Sequence, residues 1–217
     1  MAQVFSTRFT LALRLAALGV VAAIAVAALT YRVNARSDAP VGVAVEQEVP
    51  FSHKHHVGDD GIDCRYCHIA VETSAFAGIP PLSTCMTCHS QLFTDQPVLR
   101  PLVTAYANGT ALTWNRVHDL PDFVYFDHGI HVAKGVGCST CHGAVDTMPL
   151  TARVASLDMQ WCIACHRAPE PYLRPADRVF DMRWTPPADQ ALAGAALKIA
   201  RHVRGADVLT SCSTCHR

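Results

Sequence analysis

An excess of charge of either sign is missing from this sequence. Eighteen Lys and Arg are matched by eighteen Asp and Glu, and only Lys54, Lys134 and Lys198 are lysines. Without a basic run the chain offers no phosphate-neutralising surface, so nucleic acid is not among its expected partners. No alternation of apolar and polar residues persists long enough to build a sheet. Prolines at 80, 81, 169, 171, 175, 186 and 187 break the chain into short pieces, and the stretch from Glu170 to Thr185 reads as a wrap or strut. Paired carboxylates and nucleophile–base constellations are missing too, so no catalytic residue is assigned. The expected fold is mainly α, with long irregular loops and little or no sheet.

No cysteine is left over. The ten form five pairs, Cys64/Cys67, Cys85/Cys88, Cys138/Cys141, Cys162/Cys165 and Cys212/Cys215, and each pair is followed at once by a histidine: His68, His89, His142, His166 and His216. Twelve histidines in 217 residues give any one position a chance of roughly one in eighteen, so five hits in five need a chemical cause. C-x-x-C-H is the haem c attachment signature. Two thiols a helical turn apart add to the vinyl groups along one porphyrin edge, and the adjacent imidazole binds the iron as proximal ligand. Structural zinc sites and redox dithiols also use C-x-x-C, but neither requires the following histidine. Five covalent haems c are expected.

From Phe9 to Tyr31 the chain is apolar apart from Arg14 and two threonines. Some 20 such residues span a bilayer core as a helix, and Arg14 is near enough to one end to snorkel. A cleaved signal peptide is the alternative, because Ala25-Val26-Ala27 resembles a small-residue cleavage site. Arg8 and Arg14 on one side and Arg32 and Arg36 on the other leave orientation undecided by charge. Haem c attachment occurs outside the bacterial cytoplasmic membrane, which places everything after the anchor in the periplasm. A single-pass inner-membrane protein is expected.

The segments Phe51–Val57 and Phe126–Val132 share the pattern F-x-H-x-x-H-V. They lie 13 and 12 residues before Cys64 and Cys138, and a further C-x-x-C-H follows 21 and 24 residues on. This is an internal duplication of a dihaem unit. The expected organisation is 1–32 anchor helix, 33–50 linker, 51–110 first dihaem unit, 111–187 second dihaem unit, and 188–217 C-terminal helix with the fifth haem.

A six-coordinate haem needs a second axial ligand, usually His or Met. The duplicated segments offer His53, His56, His128 and His131 as distal ligands, two per unit at i and i+3. His55 is disfavoured, because its counterpart in the repeat is Ile130. The fifth distal ligand is His118, with Met159 as the alternative. His202 is a further option, on the apolar stripe of Leu192, Ala195 and Ile199 in a helix expected over 188–204. Arg65, Arg167 and Arg217 each adjoin a motif and suit haem propionates, or plain surface positions.

These strings resemble a family. F-x-H-x-x-H ahead of C-x-x-C-H is similar to the class III multihaem cytochromes, of the c3 and c7 types. The fuller order resembles the pentahaem, membrane-anchored cytochrome subunit of alternative complex III. The matching stretches are the N-terminal helix, Gly61–His68, Ile79–Pro81, Cys85–His89, Trp114–Gly143, Gln160–Arg167 and the final Cys212–Arg217. The resemblance implies an electron-transfer subunit of a quinol-oxidising respiratory complex. Its partners would be iron–sulfur and integral membrane quinol-oxidising subunits, membrane lipid, and a periplasmic cytochrome c or oxidase as acceptor. A stand-alone quinol dehydrogenase feeding periplasmic reductases is the alternative. In that group the first motif follows the membrane helix closely, whereas here about 33 residues separate Tyr31 from Cys64.

Overall fold

The computed structural model describes residues 6–35 and 40–216. Arg36, Arg217 and the 36–39 part of the expected linker lie outside the described residues, as does the side chain of Arg32. Two compact units divide the chain between Asp38 and Ala39.

The first unit is helix α1, Thr7–Ala35. Its apolar window Thr7–Tyr31 has mean hydropathy 2.3 and none of it is buried by other protein. Twenty-five residues at 1.5 Å each give about 37 Å of helix, more than the ~30 Å hydrocarbon core of a bilayer. Among the described residues it is the one helix long and apolar enough to cross a membrane.

The second unit is built of short helices separated by loops, with no strand among the described residues. The sole strand-like pairings are the antiparallel bridges Ala44–Ala152 and Val136–Leu173. Five short helices carry or abut cysteine pairs: α2 (Cys64–Cys67), α3 (Leu82–His89), α6 (Cys138–His142), α7 (Met159–Arg167) and α10 (Cys212–Cys215). Helix α4 is Arg100–Asn108, α5 is His128–Ala133, α8 is Gln190–Ala200 and α9 is Ala206–Leu209. Aspartates open three of these helices: Asp63 accepts from Arg65 N, Asp127 from Ile130 N and Asp158 from Trp161 N. Each satisfies a backbone donor that a first helical turn leaves over.

Polypeptide packing alone is thin. The buried apolar side chains are Val49, Val71, Leu102, Ala105, Ala155, Leu173 and Val179. Three of the most enclosed residues, Leu173, Arg174 and Val179, lie in the proline-rich strut, which is folded as two 3-10 turns, Glu170–Tyr172 and Ala176–Arg178. Helix α8 closes over the first turn. Gly194 faces the Glu170 carbonyl so closely that a Cβ would collide with it. Lys198 Nζ meets Glu170 Oε1 at 2.6 Å, and Gln190 Nε2 donates to the Glu170 and Leu173 carbonyls at 2.9 Å.

Helix α8 stops earlier than the apolar stripe suggested. It ends at Ala200, and His202 sits at φ +51, so His202 leaves the face that Leu192 and Ile199 share. The carbonyls of Arg201 and His202 instead accept from Lys134 Nζ. Part of the stretch expected as a linker is docked: Gly42 N donates to Arg153 O at 2.7 Å and Val45 N to Thr151 O at 3.1 Å.

Candidate haem centres

The duplicated segments repeat in space as they do in sequence. Phe51 stands edge-on to His53 at 4.9 Å and stacks on His56 at 4.5 Å. Phe126 stands edge-on to His128 at 4.7 Å and stacks on His131 at 4.5 Å. The phenylalanine of each repeat therefore fixes the planes of both imidazoles. The residue after it does a second job, because the Ser52 and Asp127 carbonyls accept from His56 Nδ1 (2.9 Å) and His131 Nδ1 (2.6 Å). Local conformation differs between the copies. In the second, α5 is an ordinary α-helix; in the first, Lys54–Asp59 form a π-helical turn, and Gly58 packs directly on the Asp146 backbone carbonyl, leaving no room for a Cβ.

Three histidine pairs share one spacing. His128 and His142 have ring centres 6.2 Å apart and nearly parallel planes (11°). His131 and His166 are 6.2 Å apart at 26°, and His56 and His89 are 6.1 Å apart at 67°. A metal-bound imidazole nitrogen lies about 2 Å from a first-row metal and about 1.1 Å from its ring centre, so two rings across one metal stand about 6.3 Å apart. The fourth member of the pattern, His53, neighbours His68. Burial, then the His68 and His56 imidazoles, push its pKa down to about 4.

Hydrogen bonding at Nδ1 leaves Nε2 as the ring nitrogen that could ligate a metal. Nδ1 of His68, His89, His128, His166 and His216 meets the carbonyls of Gly78, Leu92, Ala75, Leu209 and Phe123 at 2.7–3.2 Å. His53 Nδ1 meets Thr151 Oγ1 at 2.9 Å. With His56 and His131, eight imidazoles are held this way, the usual outer-shell arrangement that fixes tautomer and ring direction in metal-binding histidines. Burial also keeps the deepest rings neutral, the form that ligates. The His142 pKa is pushed down to about 3, by burial first and then by neighbouring His118 and His128, and burial lowers that of His131.

The cysteines do not look like a reactive dithiol or a zinc site. A reactive thiol needs a depressed pKa, whereas burial raises Cys64, Cys67, Cys85 and Cys162. It pushes Cys138 and Cys165 to about 11 and Cys141 to about 12. Among the described residues no three His, Cys, Asp or Glu cluster to hold a bare metal ion. The donor set instead fits haem: thiols in helical turns, each pair followed by a histidine, four of these with Nδ1 on a carbonyl, and in three of the five cases a second imidazole about 6 Å away.

Neighbouring motifs lie in file. Tyr66 Oη meets Thr87 Oγ1 at 2.9 Å between the first and second motifs. Cys64 is close enough to Cys138 to perturb it, joining first to third, and Cys141 is likewise near Cys165 and Cys162, joining third to fourth. Cys162 neighbours Cys215, and His166 Nδ1 bonds the Leu209 carbonyl just ahead of the fifth motif. The order in space is thus second, first, third, fourth, fifth. The fifth motif also docks on the segment preceding α5, with Tyr125 N donating to Cys215 O at 2.8 Å.

The ten cysteines are not equally enclosed. Cys88 and Cys212 are exposed, while the other eight cysteines are partly covered. Helix α3 buries none of its residues, and the nearest polar neighbour of the Cys88 thiol is the adjacent Thr87 hydroxyl, 3.9 Å away. Cys88 and Cys212 belong to the second and fifth motifs, at the two ends of the file. Cys85, the other thiol of the Cys88 pair, is half-covered and feels burial, so the polypeptide encloses the second motif on one side alone.

Other residues singled out by sequence fall as follows. His55 is exposed beside Asp60. His118 lies against His142, centres 4.3 Å apart, too close for two rings flanking one iron. Met159 opens α7 and is 58% exposed. Arg65 is engaged by Asp63 at 2.8 Å and lies over the Phe180 ring, so its guanidinium serves the helix start at α2. Sequence reasoning missed Arg174, which is buried behind the third motif. Its guanidinium donates to Ser139 Oγ (2.6 Å) and Asp181 O (3.0 Å) and stacks over Trp184. The small Gly137 ahead of Cys138 leaves space for it and was the available signal.

Residues 124–217 match the family model of cytochrome c7 and related cytochrome c. The matched stretch holds the second F-x-H-x-x-H segment and the last three C-x-x-C-H motifs, and in this c7-type region the family implies covalently bound haem c. Over 98 residues the chain is 38% identical to the menaquinone reductase, multiheme cytochrome c subunit, of Nitratidesulfovibrio vulgaris (strain Hildenborough), covering 45% of this chain and 46% of that protein. The chain therefore spans about half the length of the curated relative it matches. The c7-type region begins inside the chain, yet the repeat geometry around Phe51 carries the same arrangement outside it.

Proposed function

We propose that this chain is a pentahaem c-type cytochrome that relays electrons as a membrane-anchored subunit of a quinone-linked respiratory complex of the alternative complex III kind. The observation that carries the reading is the common 6.1–6.2 Å spacing of three imidazole pairs, with the same connectivity in both repeats. Haem c supplies a one-electron Fe(III)/Fe(II) couple at each site. The chain holds each haem through its cysteine pair and one proximal histidine. First pairs with first and second with second: His53 with His68, His56 with His89, His128 with His142 and His131 with His166. His216 would be the proximal ligand of the fifth haem, with His118 or Met159 as its second protein ligand.

The file of motifs, from the second at one end to the fifth at the other, suits a relay rather than a cluster around one substrate pocket. Exposure of Cys88 and Cys212 at its two ends supports the same reading, since electrons enter and leave a relay where a haem edge reaches the surface. Quinone linkage is supported by the relative's name, since that protein is a subunit of a menaquinone reductase. Helix α1 would tether the domain to the inner membrane with the haems in the periplasm.

Solubilisation in mild detergent tests the assignment to a complex. The chain should co-purify with iron–sulfur and integral membrane subunits, and quinol should reduce its haems in the assembly but not in the isolated chain. A chain that purifies alone and oxidises quinol unaided would move the reading to a stand-alone quinol dehydrogenase.

A further inference from the structure

Seven of the eight anchored imidazoles rest Nδ1 on a backbone carbonyl. His53 is the exception, because its Nδ1 meets a side-chain hydroxyl, Thr151 Oγ1, from 98 residues away. Thr151 belongs to the loop after the third motif, so a residue of the second unit orients a histidine of the first.

The reverse also holds. His128, of the second unit, rests Nδ1 on the Ala75 carbonyl at 2.8 Å, and Gly129 N donates to the Ser74 carbonyl at 3.0 Å. Ser74 and Ala75 follow the first motif. Each unit thus sets the ring of the other unit's first distal histidine, at the place where the Cys64 and Cys138 motifs adjoin.

Thr151 is well placed for this task. Its own carbonyl accepts from Val45 N at 3.1 Å, and the adjoining Ala152 bridges Ala44. Lys54 N, beside His53, donates to Met148 O at 3.0 Å, which ties the loop to the histidine from the other side. The hydroxyl is therefore fixed from both sides.

We infer that Thr151 is a positioning residue for His53: its hydroxyl accepts a hydrogen bond from Nδ1–H, would direct Nε2 to the haem iron, and would couple the ligand field of the first haem to the fold of the second unit. This rests on the reading of His53 as an axial ligand. A hydroxyl is a weaker acceptor than a carbonyl and a side chain can be replaced, so this is the one orienting contact of the set that substitution can remove without touching the backbone.

The test uses the full-length, haem-loaded protein in detergent, with low-temperature EPR and a spectroscopic redox titration. Thr151→Val keeps the shape and removes the acceptor, and Thr151→Ser keeps the hydroxyl. In Thr151→Val one low-spin component and one of the five reduction steps should move while the others stay, and Thr151→Ser should match the parent. In a His53→Met background, which has no Nδ1, Thr151→Val should add no further shift. If Thr151→Val does not fold, Thr151→Ala removes the hydroxyl with no new bulk and is expected to move the same component.

Spectra and potentials unchanged by loss of the hydroxyl, a shift that persists without His53, or Thr151→Ser behaving like Thr151→Val would each overturn the assignment. A parent protein whose His53→Met variant leaves every low-spin signal in place would instead remove the axial-ligand reading beneath it.

Discussion

Replacement of His131 by Met is expected to raise the midpoint potential of one haem by about 0.2 V, a fraction of the ~0.8 V that axial ligand choice spans. A thioether donates less electron density than imidazole, so it stabilises Fe(II) relative to Fe(III) and lifts the potential. The site should accept the swap, because His131 lies 6.2 Å from His166 on the regular helix α5, and Met is flexible enough to adapt to an irregular gap. The substitution also removes the Nδ1 bond to Asp127 O, which acts in the same direction by ending its support of ligand basicity. A redox titration of the purified variant should show one of five components displaced and four unmoved. If every component stayed, His131 would not be a ligand; if all moved together, the variant would have disturbed the fold.

Blocking haem attachment is expected to leave residues 40–216 unfolded. The polypeptide's own apolar core comprises seven side chains, of which Leu173 alone is fully enclosed, while conformational entropy opposes the ordering of the entire domain. The elements are also too short to be stable by themselves: α2 and α10 have four residues each, well below the ~12 that an isolated helix needs for marginal stability. Prosthetic groups that occupy the spaces between paired imidazoles would join these pieces, as metals do in small metalloproteins. Protein made in cells without the haem attachment system should therefore lack helical circular dichroism from this unit and be cleaved rapidly by protease. Retention of a native-like, protease-resistant domain without haem would contradict this.

How much of this was legible beforehand depended on range. The attachment motifs and the duplicated F-x-H-x-x-H segments are local strings, and their chemistry follows from adjacent residues. The small share of sheet followed from the prolines and the lack of alternation. Long-range contacts were not legible. Five like motifs gave no hint that Cys88 and Cys212 stand exposed, because that depends on which motifs end the file. The shared F-x-H-x-x-H-V pattern gave no hint that the first copy is π-helical, with Gly58 packed on Asp146, 88 positions later. The pairing of first with first and second with second histidines needs the fold, because i and i+3 positions alone allow either assignment. His202 read as part of a helical stripe, but α8 ends two residues before it, and Lys134 holds the Arg201 and His202 carbonyls there. Arg65 read as a propionate partner or a plain surface residue, and in the fold it pairs with its neighbour Asp63. The segment over 42–45 carried no periodic signal, although it pairs with 151–153 and so fixes Thr151.

Intact mass measured on the denatured, purified chain, together with its haem absorption spectrum, tests the central claim most directly. Covalent haem at all five motifs should add about 3 kDa to the 23.5 kDa polypeptide, less any leader removed at the N-terminus, and the haem should stay with the protein through acid and organic solvent. An unmodified polypeptide mass, or haem that extracts freely, would contradict the account. A gain matching fewer haems would reveal a motif that carries none.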